Sequence, residues 1–145
     1  MAQLSDKTGT ETAVSVVSRK KPWADLNLKL TLHPIRKDVV PLKDDAAIKA
    51  AVKNLILTNF YERPFQPEKG GNLVGLLFEP ADFMTEVMLR EDITEVLELY
   101  EPRIRLLGVN IINNADRNAW DVTITFKIIE FDINENVEIR LQRLR

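Results

Sequence analysis

The sequence predicts an α+β fold, with two main helices packed on a small, mostly antiparallel β-sheet. Three observations carry that expectation. Two internal segments repeat apolar residues every three to four positions, the period of an amphipathic helix. Three C-terminal segments alternate apolar and polar residues, the period of a half-buried strand. The order strand, helix, loop, helix and then three strands suits an α+β domain.

The elements follow in turn. Leu26, Leu28, Leu30 and Leu32 alternate with Asn27, Lys29, Thr31 and His33, which predicts a strand that Pro34 ends. Ile35 to Leu42 is expected to return as a short second strand. Asp44 and Asp45 open a helix expected from about Asp45 to Thr58, because acidic side chains suit the positive end and Asp can cap free amides. Its apolar face is Ile48, Val52, Leu55 and Ile56. Phe60 to Gly71 holds Pro64, Pro67, Gly70 and Gly71 and cannot be regular. Phe65, between two prolines, is expected to plug into the core or into a partner. A short amphipathic turn follows at Leu73, Leu76, Leu77 and Phe78.

Pro80 suits the first position of a long helix over Ala81 to Tyr100, about 30 Å in length. Its stripe runs from Phe83 through Val87, Leu89, Ile93, Val96 and Leu97 to Tyr100, and Pro102 ends it. A parity change beside Gly108 predicts a bulge in the first late strand. Trp120, Val122, Ile124, Phe126 and Ile128 alternate most cleanly. The alternation shifts into Ile129, Phe131 and Ile133, and Asn134-Glu135-Asn136 reads as the turn into Val137, Ile139 and Leu141.

The chain has 145 residues, enough for a single domain. Residues 1–24 are polar and read as a flexible N-terminal arm ending near Arg19-Lys20-Lys21, with Trp23 as a possible anchor; residues 25–145 form the domain. At 45% hydrophobic and 29% charged, the composition is that of a globular protein. No cysteine is present, which excludes disulfides, thiolate metal sites and cysteine nucleophiles. The lone His33 precedes a proline and reads as a surface or turn residue. A net charge of −2 does not suggest nucleic acid, and no segment suggests a membrane span. No cofactor or metal motif is found.

Two chemistries remain. A glycosidase needs only two carboxylates, for which Glu62, Glu79, Asp82 and Glu101 are candidates, though no spacing pairs them. The second is recognition. Glu101-Pro102-Arg103 stands where the long helix becomes strand. It is explained either as a helix stop with a neutralising Arg, or as a rigid charge pair presented to a partner.

Three motifs together carry a resemblance: Glu62-Arg63-Pro64-Phe65-Gln66-Pro67-Glu68-Lys69-Gly70, Leu77-Phe78-Glu79-Pro80 and Tyr100-Glu101-Pro102-Arg103-Ile104. In order and spacing the chain resembles, from about Leu28 to Leu141, the small baseplate wedge and sheath-initiator family of contractile-tailed phages. The family includes the counterpart in type VI secretion baseplates. The resemblance implies a structural protein of the virion tail, assembled in the host cytoplasm and held in several copies, six in a typical baseplate. Its implied partners are the larger wedge subunits and the tail sheath subunit, whose first ring it would template. Glu101, Pro102 and Arg103 are implied contact residues for the baseplate core, and Arg63, Pro64 and Phe65 an ordered loop serving contact or folding. The C-terminal strand, with Arg140 outward and Arg143 and Arg145 following, is the expected meeting edge for the sheath. Some family names mention lysozyme, but no site in this sequence supports that activity. A soluble adaptor that binds a regulatory protein is the third class, because the wider superfamily shares the small fold.

Overall fold

The centre of the molecule is a three-stranded antiparallel sheet, seen in a computed structural model that describes residues 23–142. Strand β3 (Ile104–Asn114), β4 (Ala119–Ile128) and β5 (Ile133–Gln142) lie in the order β3-β4-β5. Trp120, Val122, Ile124, Phe126 and Ile128 point one way from β4 and are all buried. Their register fixes Ile111 and Val109 opposite on β3, and Ile139 and Val137 on β5. The ladder slips between Leu106 and Gly108, the bulge expected from the parity change.

Helices α1 (Asp44–Ile56) and α3 (Phe83–Tyr100) cover that apolar face. Ile48, Val52 and Ile56 of α1 meet Leu89, Ile93 and Leu97 of α3 in one core with the sheet. A single turn, α2 (Leu73–Leu76), adds Leu73. Two-residue strands β1 (Ala24–Asp25) and β2 (Leu42–Lys43) pair antiparallel beside α1. The architecture is therefore α+β as expected.

Several details differ. The strand expected over Leu26–His33 does not form. The Asn27 side chain accepts the Lys29 amide (3.0 Å) and its carbonyl accepts that of Leu30, which turns left-handed at φ 50°. That local turn competes with extension, and only the Leu32–Val39 bridge offers pairing against it. The four leucines are 59–65% exposed. Of the second expected strand only a Leu32–Val39 bridge and β2 remain. His33 is a turn residue, its Nδ1 accepting the amides of Ile35 and Arg36 (3.2 and 3.3 Å).

The start of α1 has its acidic first turn, but no side chain caps it. Asp44 itself takes φ 48°, a region that Asp tolerates better than most residues. Helix α3 begins at Phe83 rather than at Pro80. The Asp82 carboxylate accepts the Thr85 amide at 2.9 Å, and the Thr85 hydroxyl donates to the Pro80 carbonyl at 2.6 Å. An aspartate whose carboxylate accepts a first-turn amide defines the start better than a proline outside it. Phe83, expected in the buried stripe, faces solvent as a result.

The last turn also moves. Ile129–Asp132 forms it, with Asp132 at φ 57° donating its amide to the Ile128 carbonyl (2.9 Å) and its carboxylate meeting Lys127. Asn134 and Asn136 sit inside β5, opposite Lys127 and Thr125. A long β4 needs a partner along its whole length, and this satisfies its backbone at the cost of exposing Ile129 and Ile133.

Candidate functional site

Tyr100 ends α3, and the next three residues make the sharp passage into β3. The Glu101 amide donates to the Leu97 carbonyl (3.0 Å) and its own carbonyl accepts the Ile104 amide (3.4 Å), while Pro102 stops the helix between them. Both charged side chains fold back on each other. Arg103 Nε and Nη2 donate to the two carboxylate oxygens of Glu101 at 2.5 and 2.7 Å, a bidentate fork. Glu101 is only 6% exposed, Pro102 is exposed and Arg103 lies between. The hydrogen bonds to Glu101 hold the Arg103 guanidinium above its ordinary pKa, against the opposing pull of burial. The plane of that guanidinium also lies over the Trp23 ring (5.6 Å), with Asp25 4.0 Å away. Trp23 in turn packs edge-on to Phe131.

The triplet therefore shapes one wall of a groove of about 770 Å³. Leu26 and Leu28 line the same groove, together with Ala50 and Asn54 of α1 and Leu57 just past its end. Arg63, Lys69 and Tyr100 close the end. The structure thus brings Glu101, Pro102, Arg103 and Arg63 together. Pro64 and Phe65 belong to the adjoining loop, and Phe65 does not enter the core. Arg140 stands apart, about 23 Å along the sheet by strand rise, because Ile128 lies at the triplet's end and Asp121, its partner in register, seven residues on. There Arg140 Nε donates to Asp121 (2.7 Å), whose carboxyl is held below its ordinary value first by that bond and then by Asn114. Arg143, Arg145 and residues 1–22 of the expected arm lie outside the described residues.

The carboxylates considered for hydrolysis do not converge. Glu62 accepts both amides of Asn59 and Asp82 caps α3, and these bonds lower both pKa values, the reverse of what a general acid needs. Glu101 is held by Arg103, and the one other acidic residue lining its groove is Asp25. Sequence reasoning missed Leu26, Leu28, Asp25 and Asp92. The first three are distant in sequence from the triplet, and no local pattern links them to it. Asp92 accepts the Asn72 amide at 3.0 Å and ties the loop to α3; burial raises its pKa. A lone acid on a helix face carried no signal of that.

A small α+β domain that leaves leucines exposed beside an open groove has the kind of uncovered apolar surface found at protein contacts. The chain belongs to the baseplate wedge protein family of contractile tails: the family profile described as baseplate wedge protein gp25 matches residues 43–134. It is 34% identical over 122 residues to baseplate wedge protein gp25 of Enterobacteria phage T4, covering 84% of this chain and 91% of that one. Three solved structures share the fold. A Geobacter sulfurreducens protein designated a candidate tail lysozyme is 21% identical, with a TM-score of 0.63 over 68% of this chain and 89% of that one. A chain of the postcontracted pyocin R2 baseplate is also 21% identical (TM-score 0.58, 73% and 98% covered). A chain of the anti-feeding prophage baseplate is 15% identical (TM-score 0.60, 86% and 88%). The protein is accordingly a structural component of a tail baseplate.

Proposed function

We propose that this chain is a wedge subunit, present in six copies around the tail tube, that binds larger wedge subunits through the groove beside Glu101-Pro102-Arg103. In this reading it also offers β5 to the first ring of the tail sheath. The observation that carries it is the groove itself: exposed Leu26 and Leu28 line it together with a guanidinium locked in place by a buried carboxylate. A preset charge beside uncovered apolar surface suits binding, because little freedom is lost on contact. Glu101 positions Arg103, while Pro102, Arg103 and Arg63 supply the contact. The strand β5 is an edge among the described residues, unbroken by proline or bulge, whereas β3 is interrupted at Gly108. Edge addition favours the uninterrupted strand. The expected arm is shorter by two residues, because Trp23 and Ala24 pack into the domain; in the same reading the residues before them bind a neighbour.

Co-expression with the wedge subunits of the same tail tests the groove. Glu101→Ala with Arg103→Ala should lose wedge assembly while the fold survives. Leu28→Asp with Arg63→Glu should do the same without touching the buried pair. Normal assembly by both variants refutes the groove role, and unfolding of the first alone shows that the pair serves the helix end.

A further inference from the structure

The loop from Asn59 to Gly71 contains no regular structure, yet it is fixed throughout. The Tyr61 amide donates to the Pro67 carbonyl (2.9 Å), and the Gln66 amide to that of Arg63 (3.1 Å). The backbone amide and side chain of Asn59 both donate to Glu62 (3.1 and 2.9 Å). From outside, the Tyr100 hydroxyl donates to the Glu68 carbonyl at 2.6 Å. Gly70, at φ 137°, lies so near the preceding strand of chain that a Cβ there would stand 2.5 Å from the Thr58 carbonyl oxygen. Only glycine allows that closure.

This frame raises aromatic side chains into solvent. Phe65 is 97% exposed and Tyr61 84%. A phenyl ring between two prolines in a hydrogen-bonded frame has no route back to the core, so folding does not account for it. Beside it runs a hollow of about 380 Å³ bounded by Pro67, Lys69 and Tyr100, open to an incoming side chain. Arg63 makes no ion pair among the described residues, and Lys69 lies over the Tyr100 ring, 5.9 Å from its centroid.

The geometry points to a preformed plug: Phe65 enters an apolar pocket on a neighbouring baseplate protein whose rim carries carboxylates that meet Arg63 and Lys69. A rigid aromatic anchor flanked by charges has the features of an interface hot spot. A second copy of this chain is disfavoured as the acceptor, because its own groove is lined by Arg63, Lys69 and Arg103, like charges to those of the plug, against Asp25 and a Glu101 already closed on Arg103. This inference rests on the wedge-subunit reading and adds Phe65 as a contact of its own, next to the Arg63 and Lys69 end of the groove.

The test uses the full chain, tagged and co-expressed with the wedge subunits of its own tail. Phe65→Ala should weaken co-purification by roughly thirtyfold, as loss of a hot-spot residue does, with an unchanged melting temperature. Arg63→Glu should weaken it in a salt-dependent way. A photo-crosslinking phenylalanine analogue at position 65 should attach to a wedge subunit. Co-purification of Phe65→Ala at the wild-type level, or crosslinking to a second copy, overturns the plug while leaving the wedge reading intact. A lower melting temperature for Phe65→Ala overturns it too, because the ring would then be serving the fold. Failure of the wild-type chain to co-purify overturns both.

Discussion

Leu26–His33 and Trp120–Ile128 carry the same pattern, apolar residues at every second position, and meet opposite ends. The second is the central strand of the sheet, with every apolar side chain buried. The first is irregular, with one turn at Leu28–Lys29, and all four leucines are exposed. Alternation says which side chains a strand would bury, not whether anything is there to bury them. Strand β4 has β3 on one side and β5 on the other, so its backbone groups are satisfied and its apolar face is covered by α1 and α3. Beyond the Leu32–Val39 bridge the leucine segment has no ladder and no cover, and Asn27 takes the amides of Lys29 and Leu30 instead. In a subunit of an assembly, uncovered apolar residues of this kind are where a neighbour adds what the single chain lacks.

Truncation separates the two regions most sharply. Phe126→Ala should cost roughly 3–5 kcal/mol in urea unfolding, as large-to-small changes in packed cores do. Leu28→Ala should fall within about 0.5 kcal/mol. Equal losses would mean that the leucine segment is packed after all. The buried pair comes next. Glu101→Ala leaves the Arg103 guanidinium without its fork and should cost about 2 kcal/mol, with Glu101→Gln costing less because one amide oxygen still accepts. A local device should matter less again: Asp82→Ala removes the cap of α3 and should cost about 1 kcal/mol by thermal melting.

The smallest effect concerns acid. The Asp121 carboxyl is held below its ordinary 3.8 chiefly by Arg140, so the stability it adds is present above that value and lost as pH falls through the folded value. Arg140→Gln should therefore flatten the acid limb of the stability curve below about pH 4. It should change nothing near neutrality beyond the modest worth of an exposed pair. A variant that loses stability equally at all pH values would show that Arg140 contributes by packing instead.

Features written within one turn or one strand were legible in the sequence. The faces of α1 and α3, the burial of β4, the bulge at Gly108 and the helix stop at Pro102 each follow from a local period or a local restriction on the backbone. The start of α3 was legible in principle, since Asp82 stands three residues before Thr85, but Pro80 offered a competing signal and the cap outweighed it. The late turn was not legible, because Asn134-Glu135-Asn136 has the better turn composition and Ile129–Asp132 the better ladder. Within the candidate site, Glu101, Pro102, Arg103 and Arg63 could be singled out by motif. That Leu26 and Leu28 would line the same groove could not.

The sequence by itself determined the periods of the elements, the residues able to form a core and the helix stop at Pro102, because each depends on neighbours a few positions away. Tertiary structure alone decided which alternating run became a strand, which charges closed on each other and which leucines stayed in water. Burial and pairing are properties of two surfaces meeting, and only the folded chain brings those surfaces together.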